Sequence, residues 1–298
     1  MPKESYYIEM MQRPWQDYVK PAKREVLERR IRITADCRDC DALPRHKDAG
    51  TCRVNDSGYA VQVMHNGLEV LYGRYYGSWV NEIIARLGGV HEPQEERVFH
   101  ALLPHMPRGA VMVEAGCYWG YYAMWFASAV AQSRVYLVEP HPRQMAVAET
   151  NFAINGLQGD FTSAYFGSYP ENKRRIQEGR LGALPRLTVP EFMTMKGLDR
   201  ITMLHSDIQG HEEEMLHGAR ELLQTRRIDW LCISTHGRRH PACRALLEAA
   251  GYRIIAEHDV ASSASADGLL VAQSPALPPI PPVEISHVEG LVQAHSGD

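Results

Sequence analysis

The sequence predicts an open, mostly parallel α/β sheet of seven strands, the last antiparallel, preceded by a cap region of mixed structure. Three observations carry that reading. From residue 111 onward, short apolar runs alternate with helical stretches, the pattern of parallel strands joined by crossover helices on both faces. The final two runs are separated only by residues 258–267, too few for a crossover helix, so they are expected to pair antiparallel. Before residue 91 the rhythm differs, and the best local hairpin signal of the chain lies there.

Taken in order, residues 15–33 (WQDYVKPAKREVLERRIRI) read as one helix with Pro21 near its start or kinking it. Residues 34–58 are polar and turn-rich. Tyr59 to Leu71 reads as two short strands joined at Asn66-Gly67, and Trp79 to Leu87 as a helix stopped by Gly88-Gly89. The segment 92–103 opens with Pro93 and acidic residues, both favourable in a first helical turn. Strands are expected at 111–115, 134–138, 161–166, 201–206, 228–234, 252–257 and 268–272, and helices at 141–155, 211–225 and 239–250. The segment 167–190 breaks this rhythm and is partly basic, as a lid or functional loop would be. From Ser274 the tail is proline-rich, expected to be extended over the surface or mobile. The domains read as a cap at 1–91, a core domain at 92–273 and a tail at 274–298.

With 298 residues, 45% of them hydrophobic, the chain can bury one α/β core and an appendage. A formal charge of −4 argues against a partner held by a general basic surface, so no nucleic acid is expected. The stretch from Met1 to Trp15 has no secretory pattern, and the longest apolar run, Tyr121 to Ala131, is too short to span a bilayer. A cytoplasmic protein without a membrane partner is the expectation, with homo-oligomerisation open. The six cysteines are then expected reduced. Cys37, Cys40 and Cys52 cluster around His46, which reads either as a structural zinc site or as semi-buried cysteines in an irregular segment.

The chemistry concentrates at strand ends. The run Glu114-Ala-Gly116-Cys-Tyr118-Trp-Gly120 ends the first strand of the core domain, where glycines let the backbone bend and approach a ligand. Glu139 ends the next strand, twenty-five residues after Glu114, where a carboxylate can accept both hydroxyls of a ribose. The third close glycine that admits a pyrophosphate is missing. A nucleoside cofactor without phosphates fits better, and S-adenosylmethionine is such a cofactor.

Beyond these residues, VMVEAGCYWGYYAMWFA, VEP, NFAINGL and ITMLHSDIQGHEEEMLHGARELL together resemble the FkbM family of methyltransferases over roughly residues 92–272. The strongest likeness is Ser206-Asp207-Ile208-Gln209-Gly210-His211-Glu212, against the family's Asp-Val-Gln-Gly-x-Glu. The resemblance implies a class I, Rossmann-like methyltransferase that uses S-adenosylmethionine to methylate hydroxyl oxygens of sugars, glycans or secondary metabolites. Two departures stand out: Glu114 where Asp is commoner, and Ser234-Thr235-His236 where a glutamate is often seen.

In such a sheet the 114–120 turn and Asp207 face each other across one crevice. The cofactor-binding candidates are Glu114, Gly116, Tyr118, Gly120, Glu139, Pro140 and Asp207, with Tyr165 and Phe166 as borders for the adenine or, equally, as core residues. Asn151 and Asn155 read as braces for the end of their helix. Removing the acceptor's proton falls to Asp207, His205, His211 or His236, all at or just beyond strand ends. A divalent metal ion held by Asp207 and His236 is the alternative, and a plain helix cap the bland reading of Asp207. Tyr75, Tyr76, Trp79, His91 and the 167–190 segment suit a small-molecule or glycan acceptor. The competing readings are a nicotinamide-dependent oxidoreductase and a cofactor-binding protein without catalysis. No polar-Pro-Pro-aromatic turn for a flipped base follows Ser206.

Overall fold

The computed structural model describes residues 4–167, 176–179 and 182–288. The cap begins with α1 (Glu4–Gln12), a 3-10 turn (Trp15–Tyr18) and α2 (Pro21–Asp36). The single helix expected over 15–33 is thus two pieces. Lys20, the residue before proline, is extended (φ −58°, ψ 140°), because the Pro21 ring disfavours a helical residue before it while suiting the first helical position. Three short antiparallel strands follow: β1 (Cys52–Val54), β2 (Ala60–Val63) and β3 (Glu69–Leu71), with Asn66-Gly67 joining β2 to β3 as expected. Helices α3 (Ser78–Arg86) and α4 (Pro93–Leu102) lead into the sheet.

The core alternates as predicted: β4 (Val111–Ala115), α5 (Tyr121–Ala129), β5 (Arg134–Val138), α6 (Pro142–Ile154) and β6 (Asp160–Thr162). After β6 a ribbon of β7 (Tyr165–Phe166), β8 (Ile176–Gly179) and β9 (Gly182–Leu187) leads to α7 (Val189–Lys196). Then come β10 (Ile201–Ser206), α8 (Glu212–Gly218), α9 (Arg220–Gln224), β11 (Ile228–Thr235), α10 (His240–Ala249), β12 (Arg253–His258) and β13 (Gly268–Gln273). The large sheet has the order β12-β13-β11-β10-β4-β5-β6, with β13 antiparallel to both neighbours. This is the Rossmann-like architecture of class I methyltransferases, with the winding direction reversing between β10 and β4.

One expected strand, 161–166, breaks at residues 163 and 164. Its second half, β7, leaves the large sheet to pair with β9. Side chains of the sheet divide between two cores. Met112, Met203, Trp230 and Cys232 point to the face covered by the cap, α4 and α5. Val113, Leu204, Leu231 and Ile233 point to the face covered by α7, α8 and α10. That alternation puts Glu114 and His205, each two residues further along its strand from Met112 and Met203, on the cap face.

The tail is better anchored than its composition suggests. Leu277, Ile280, Val283 and Ile285 pack on the core, Val283 N–H donates to the Ile255 carbonyl, and Ser286 N–H donates to Asp39. The cysteine cluster does not converge. Cys37 Sγ contacts Ser286 Oγ, Cys40 donates to the Pro93 carbonyl, and Cys52 is exposed on β1. All six cysteines are free, and no described helix is long and apolar enough to cross a membrane.

Candidate active site

Two cavities open side by side where the strands β5, β4, β10 and β11 end. The first, of about 280 Å³, lies over β4 and β5 and is lined by Gly116, Tyr118, Glu139, Pro140, Tyr165, Phe166, Asp207 and His211 among others. The second, of about 190 Å³, lies over β11 under the cap and is lined by Arg30, Tyr75, Tyr76, Trp79, His91, Glu92, His236 and Asp267 among others. Tyr76 and Gln209 border both.

The seam between them depends on glycine. Gly116 has φ +74°, and a Cβ there would stand 1.8 Å from the Asp207 carbonyl oxygen. Only glycine lets the ends of β4 and β10 approach so closely. Gly120 is also left-handed, but its Cβ would meet Leu137, Phe152 and Ala148, so it packs the turn from below instead of facing the cavity. Among the described residues five non-glycines have positive φ, and three of them, Tyr76, Tyr118 and Gln209, border the first cavity. Backbone strain of this kind concentrates where geometry is dictated by a ligand.

Glu139 is buried at the end of β5, where its carboxylate accepts from Tyr118 N–H (3.2 Å) and His141 N–H (2.7 Å). Burial raises its pKa above the usual carboxylate range, and both backbone donors counter that. Glu114 lies one layer lower. It accepts from Ala123 N–H at 3.1 Å, and burial pushes it up to about 7. Tyr165 lines the cavity half-buried, whereas Phe166 lines it and also packs edge-on against Phe192.

The candidate proton acceptors are separated by the fold. His205 is buried under the crevice with Nε2 2.7 Å from Glu95 Oε1, and it borders only a void of about 20 Å³, enough for one water. His211 stands at the mouth of the first cavity, 3.5 Å from Glu214. Of the three, His236 alone lines the second cavity. Its Nδ1 lies 2.8 Å from Glu212 Oε1, and its Nε2 faces Asp267 Oδ1 at 3.1 Å and Asp207 Oδ1 at 3.4 Å. Burial alone would lower its pKa, but the Glu212 hydrogen bond and the charges of Asp267 and Asp207 hold it above the ordinary value. Asp207 is pushed up by burial and by Asp267. Gln209 Nε2 donates to Asp207 Oδ1 at 2.8 Å.

As a metal pair, Asp207 and His236 have Asp267 beside them, its Oδ1 3.1 Å from His236 Nε2, but among the described residues the three ligand atoms do not all lie close to one another. Only Glu95, His205 and Cys232 bring three such atoms together, and they are buried and already hydrogen-bonded to one another. Sequence reasoning missed Asp267 and Glu212. Asp267 had a signal: β13 pairs antiparallel with β11 so that Gly268 opposes Thr235, which puts the residue before one beside the residue after the other. The ribbon expected to cover the acceptor lies, in its described part, beside the first cavity, with Tyr165 lining it and Arg186 bonded to Glu214. Lys173, Arg174, Arg175 and Arg180 fall outside the described side chains.

Residues 110–254 match the methyltransferase FkbM domain. No curated protein matches the chain in sequence. Among solved structures it is similar to M. capricolum TrmK in complex with S-adenosyl-homocysteine, at 12% identity and TM-score 0.41, covering 60% of this chain and 68% of that one. It is also similar to precorrin-6y C5,15-methyltransferase from Geobacter metallireducens, at 13% identity and TM-score 0.39, covering 59% and 86%. A third likeness is ribosomal protein L11 methylase from Lactobacillus delbrueckii subsp. bulgaricus, at 14% identity and TM-score 0.39, covering 63% and 81%.

Proposed function

We propose that this chain, a member of the FkbM methyltransferase family through residues 110–254, methylates a hydroxyl oxygen of a sugar, glycan or glycosylated small molecule. S-adenosylmethionine, when bound, supplies an electrophilic methyl group on a sulfonium. The first cavity is its site in this reading, and the residues there suit it. The buried Glu139 carboxylate, anchored by two backbone donors, has acceptor capacity left for a ribose diol. Tyr165, Phe166 and Pro140 offer the apolar border an adenine needs, and Gly116, Tyr118 and Asp207 line the path toward the seam. Glu114 and Gly120 serve from beneath by fixing the turn.

The second cavity takes the acceptor. Tyr75, Tyr76 and Trp79 supply ring faces, and Arg30, Glu92 and Asp267 supply polar tips for hydroxyls. His236 receives the acceptor's proton, with Asp207 beside it. The observation that carries this reading is the place of His236: it lines the second cavity, and its Nε2 stands 3.4 Å from Asp207 Oδ1, which borders the first, and 3.1 Å from Asp267 Oδ1. The division into cap, core domain and tail at 91/92 and 273/274 is part of the same proposal, with the cap forming the acceptor wall.

The test is methyl transfer from labelled S-adenosylmethionine across a panel of sugars and glycosides, with the Asp207→Asn variant alongside. The variant should lose about 10²-fold or more in kcat, the scale of general acid–base roles, while its cofactor affinity stays within about twofold. Near-normal turnover would reduce Asp207 to scaffolding. Chelation leaves the activity intact in this reading. A chelator-sensitive enzyme restored by one divalent ion would replace the direct base with a metal-assisted one.

A further inference from the structure

We infer that Glu212 is the positioning residue of the base: it holds His236 with its proton on Nδ1, so that Nε2 is the atom offered to the acceptor hydroxyl. The inference rests on His236 being that base.

Glu212 opens α8 and is fully buried. Its Oε1 accepts from His236 Nδ1 at 2.8 Å and from Gly210 N–H at 2.8 Å. The second bond fixes the carboxylate from its own chain, so the first fixes the imidazole from another element. An imidazole free to turn about χ2 would present either nitrogen to the cavity, and the Glu212 bond at Nδ1, shorter than the 3.1 and 3.4 Å approaches of Asp267 and Asp207 to Nε2, selects one. With the methyl donor bound, the acceptor's O–H proton would pass to the Nε2 lone pair as the oxygen–methyl bond forms and the sulfonium–methyl bond breaks, its electron pair leaving with sulfur as a neutral thioether, while Nδ1–H stays hydrogen-bonded to Glu212.

The chain between the two acids is shaped for this. Gln209 and Gly210 both have positive φ, +51° and +97°. The turn they make aims Gly210 N–H back at Glu212 while Gln209 Nε2 donates to Asp207 Oδ1 at 2.8 Å. One six-residue stretch, Asp207 to Glu212, therefore sets both carboxylates, one on each side of the His236 ring. The bland alternative is that Glu212 is only a favourable acid in the first turn of a short helix. Glu213 and Glu214 already fill that role next to it. Neither of them reaches His236 among the described contacts.

Two amides of like polarity separate the readings, because only the longer reaches Nδ1. In Glu212→Gln the amide oxygen still accepts from Nδ1, and kcat should stay within about tenfold of wild type. In Glu212→Asn the bond is lost, and kcat should fall about 10²-fold, in the range for a disabled base, with acceptor KM and cofactor affinity within about twofold. His236→Ala is measured in parallel. If it loses activity while both Glu212 variants turn over alike, fast or slow, the positioning role falls and the base stands. Should His236→Ala keep its kcat, the base reading itself is wrong. Losses in the Asn variant confined to melting temperature and cofactor affinity would make Glu212 a helix-terminal residue and nothing more.

Discussion

The two cavities are built in opposite ways. Half of the proposed cofactor side comes from one continuous stretch, 115–144, running from the end of β4 through the glycine turn to the end of β5 and the start of α6, and the rest from Tyr76, the residues 164–166 and the turn after β10. The proposed acceptor side is assembled from α2, α3 and the segment before it, the segment before α4, Gln209 after β10, and the residues after β11 and before β13, spanning residues 30 to 267. The first is a local motif that the backbone dictates. The second exists only once the cap has docked. The two sides still touch: Tyr75 stacks on Trp119 of the glycine turn, and Tyr76 N–H donates to the Tyr118 hydroxyl.

The sharpest way to break the comparison is at the seam both cavities share. Gly116→Ala would drive a Cβ into the Asp207 carbonyl and force a left-handed conformation on a side-chain-bearing residue. It should cost about 3 kcal/mol or more of stability and abolish measurable cofactor binding. Thermal unfolding and calorimetry check both, and a stable, binding variant would mean that the ends of β4 and β10 separate without consequence.

The next effect isolates the local side. Glu139→Ala removes the carboxylate proposed for the ribose and should weaken cofactor binding by about 1.5–3 kcal/mol, the range for hydrogen bonds to a charged group. At saturating cofactor its kcat should stay near wild type. Unchanged affinity by calorimetry would remove Glu139 from the site.

Acidity sharpens the assembled side. His236 is enclosed by Glu212 from α8, Asp207 after β10 and Asp267 before β13, and together they hold its pKa above the ordinary value against the effect of burial. A base must be neutral, so the rate should fall as pH drops through that raised pKa and rise toward alkaline pH. Asp267→Asn removes one negative charge, which disfavours the imidazolium. The acid limb of kcat/KM should then move to lower pH, and a limb that stays in place would detach Asp267 from the base. The shift in position is the readout, independent of any change in maximal rate.

These contrasts also decide what was legible in the sequence. The alternation of strands and helices, the glycine turn and Glu139 were readable because each is a short-range pattern with a backbone cause. Asp207 and His236 were readable because strand ends at a topological switch point collect ligands. Glu212 is the first of three consecutive glutamates, and the one signal that sets it apart is its place at the end of the Asp207-Ile-Gln-Gly-His-Glu212 segment, which carried the family likeness but no role for the residue. His205 and His211 looked equivalent to His236 because position along a strand says nothing about the cap. Only the folded cap shows that His205 is covered by Glu95 and Tyr122.

The smallest predicted effect tests how the assembled side is fastened to the local one. Asn155 braces its own helix as expected, donating to the Asn151 carbonyl at 2.7 Å, and both Asn151 and Asn155 also reach across to the cap. Asn155 accepts from Glu69 N–H at 2.9 Å and donates to the Glu69 carbonyl at 2.7 Å, so one side chain pairs with β3 as a neighbouring strand would. Asn151 accepts from Leu71 N–H at 2.9 Å and donates to the Trp119 carbonyl at 2.9 Å, linking the same strand to the glycine turn. From β3 the chain runs directly into Tyr75 and Tyr76, the residues that wall the acceptor cavity. Asn155→Ala leaves both backbone groups of Glu69 without these partners and should cost about 1–2 kcal/mol of stability. Asn151 still holds Leu71, so the strap should loosen without detaching. Acceptor KM should rise a few-fold, with cofactor affinity and kcat unchanged. Equal losses on both sides would show that the cap and the glycine turn respond as one unit, and the contrast between a local and an assembled cavity would then fail.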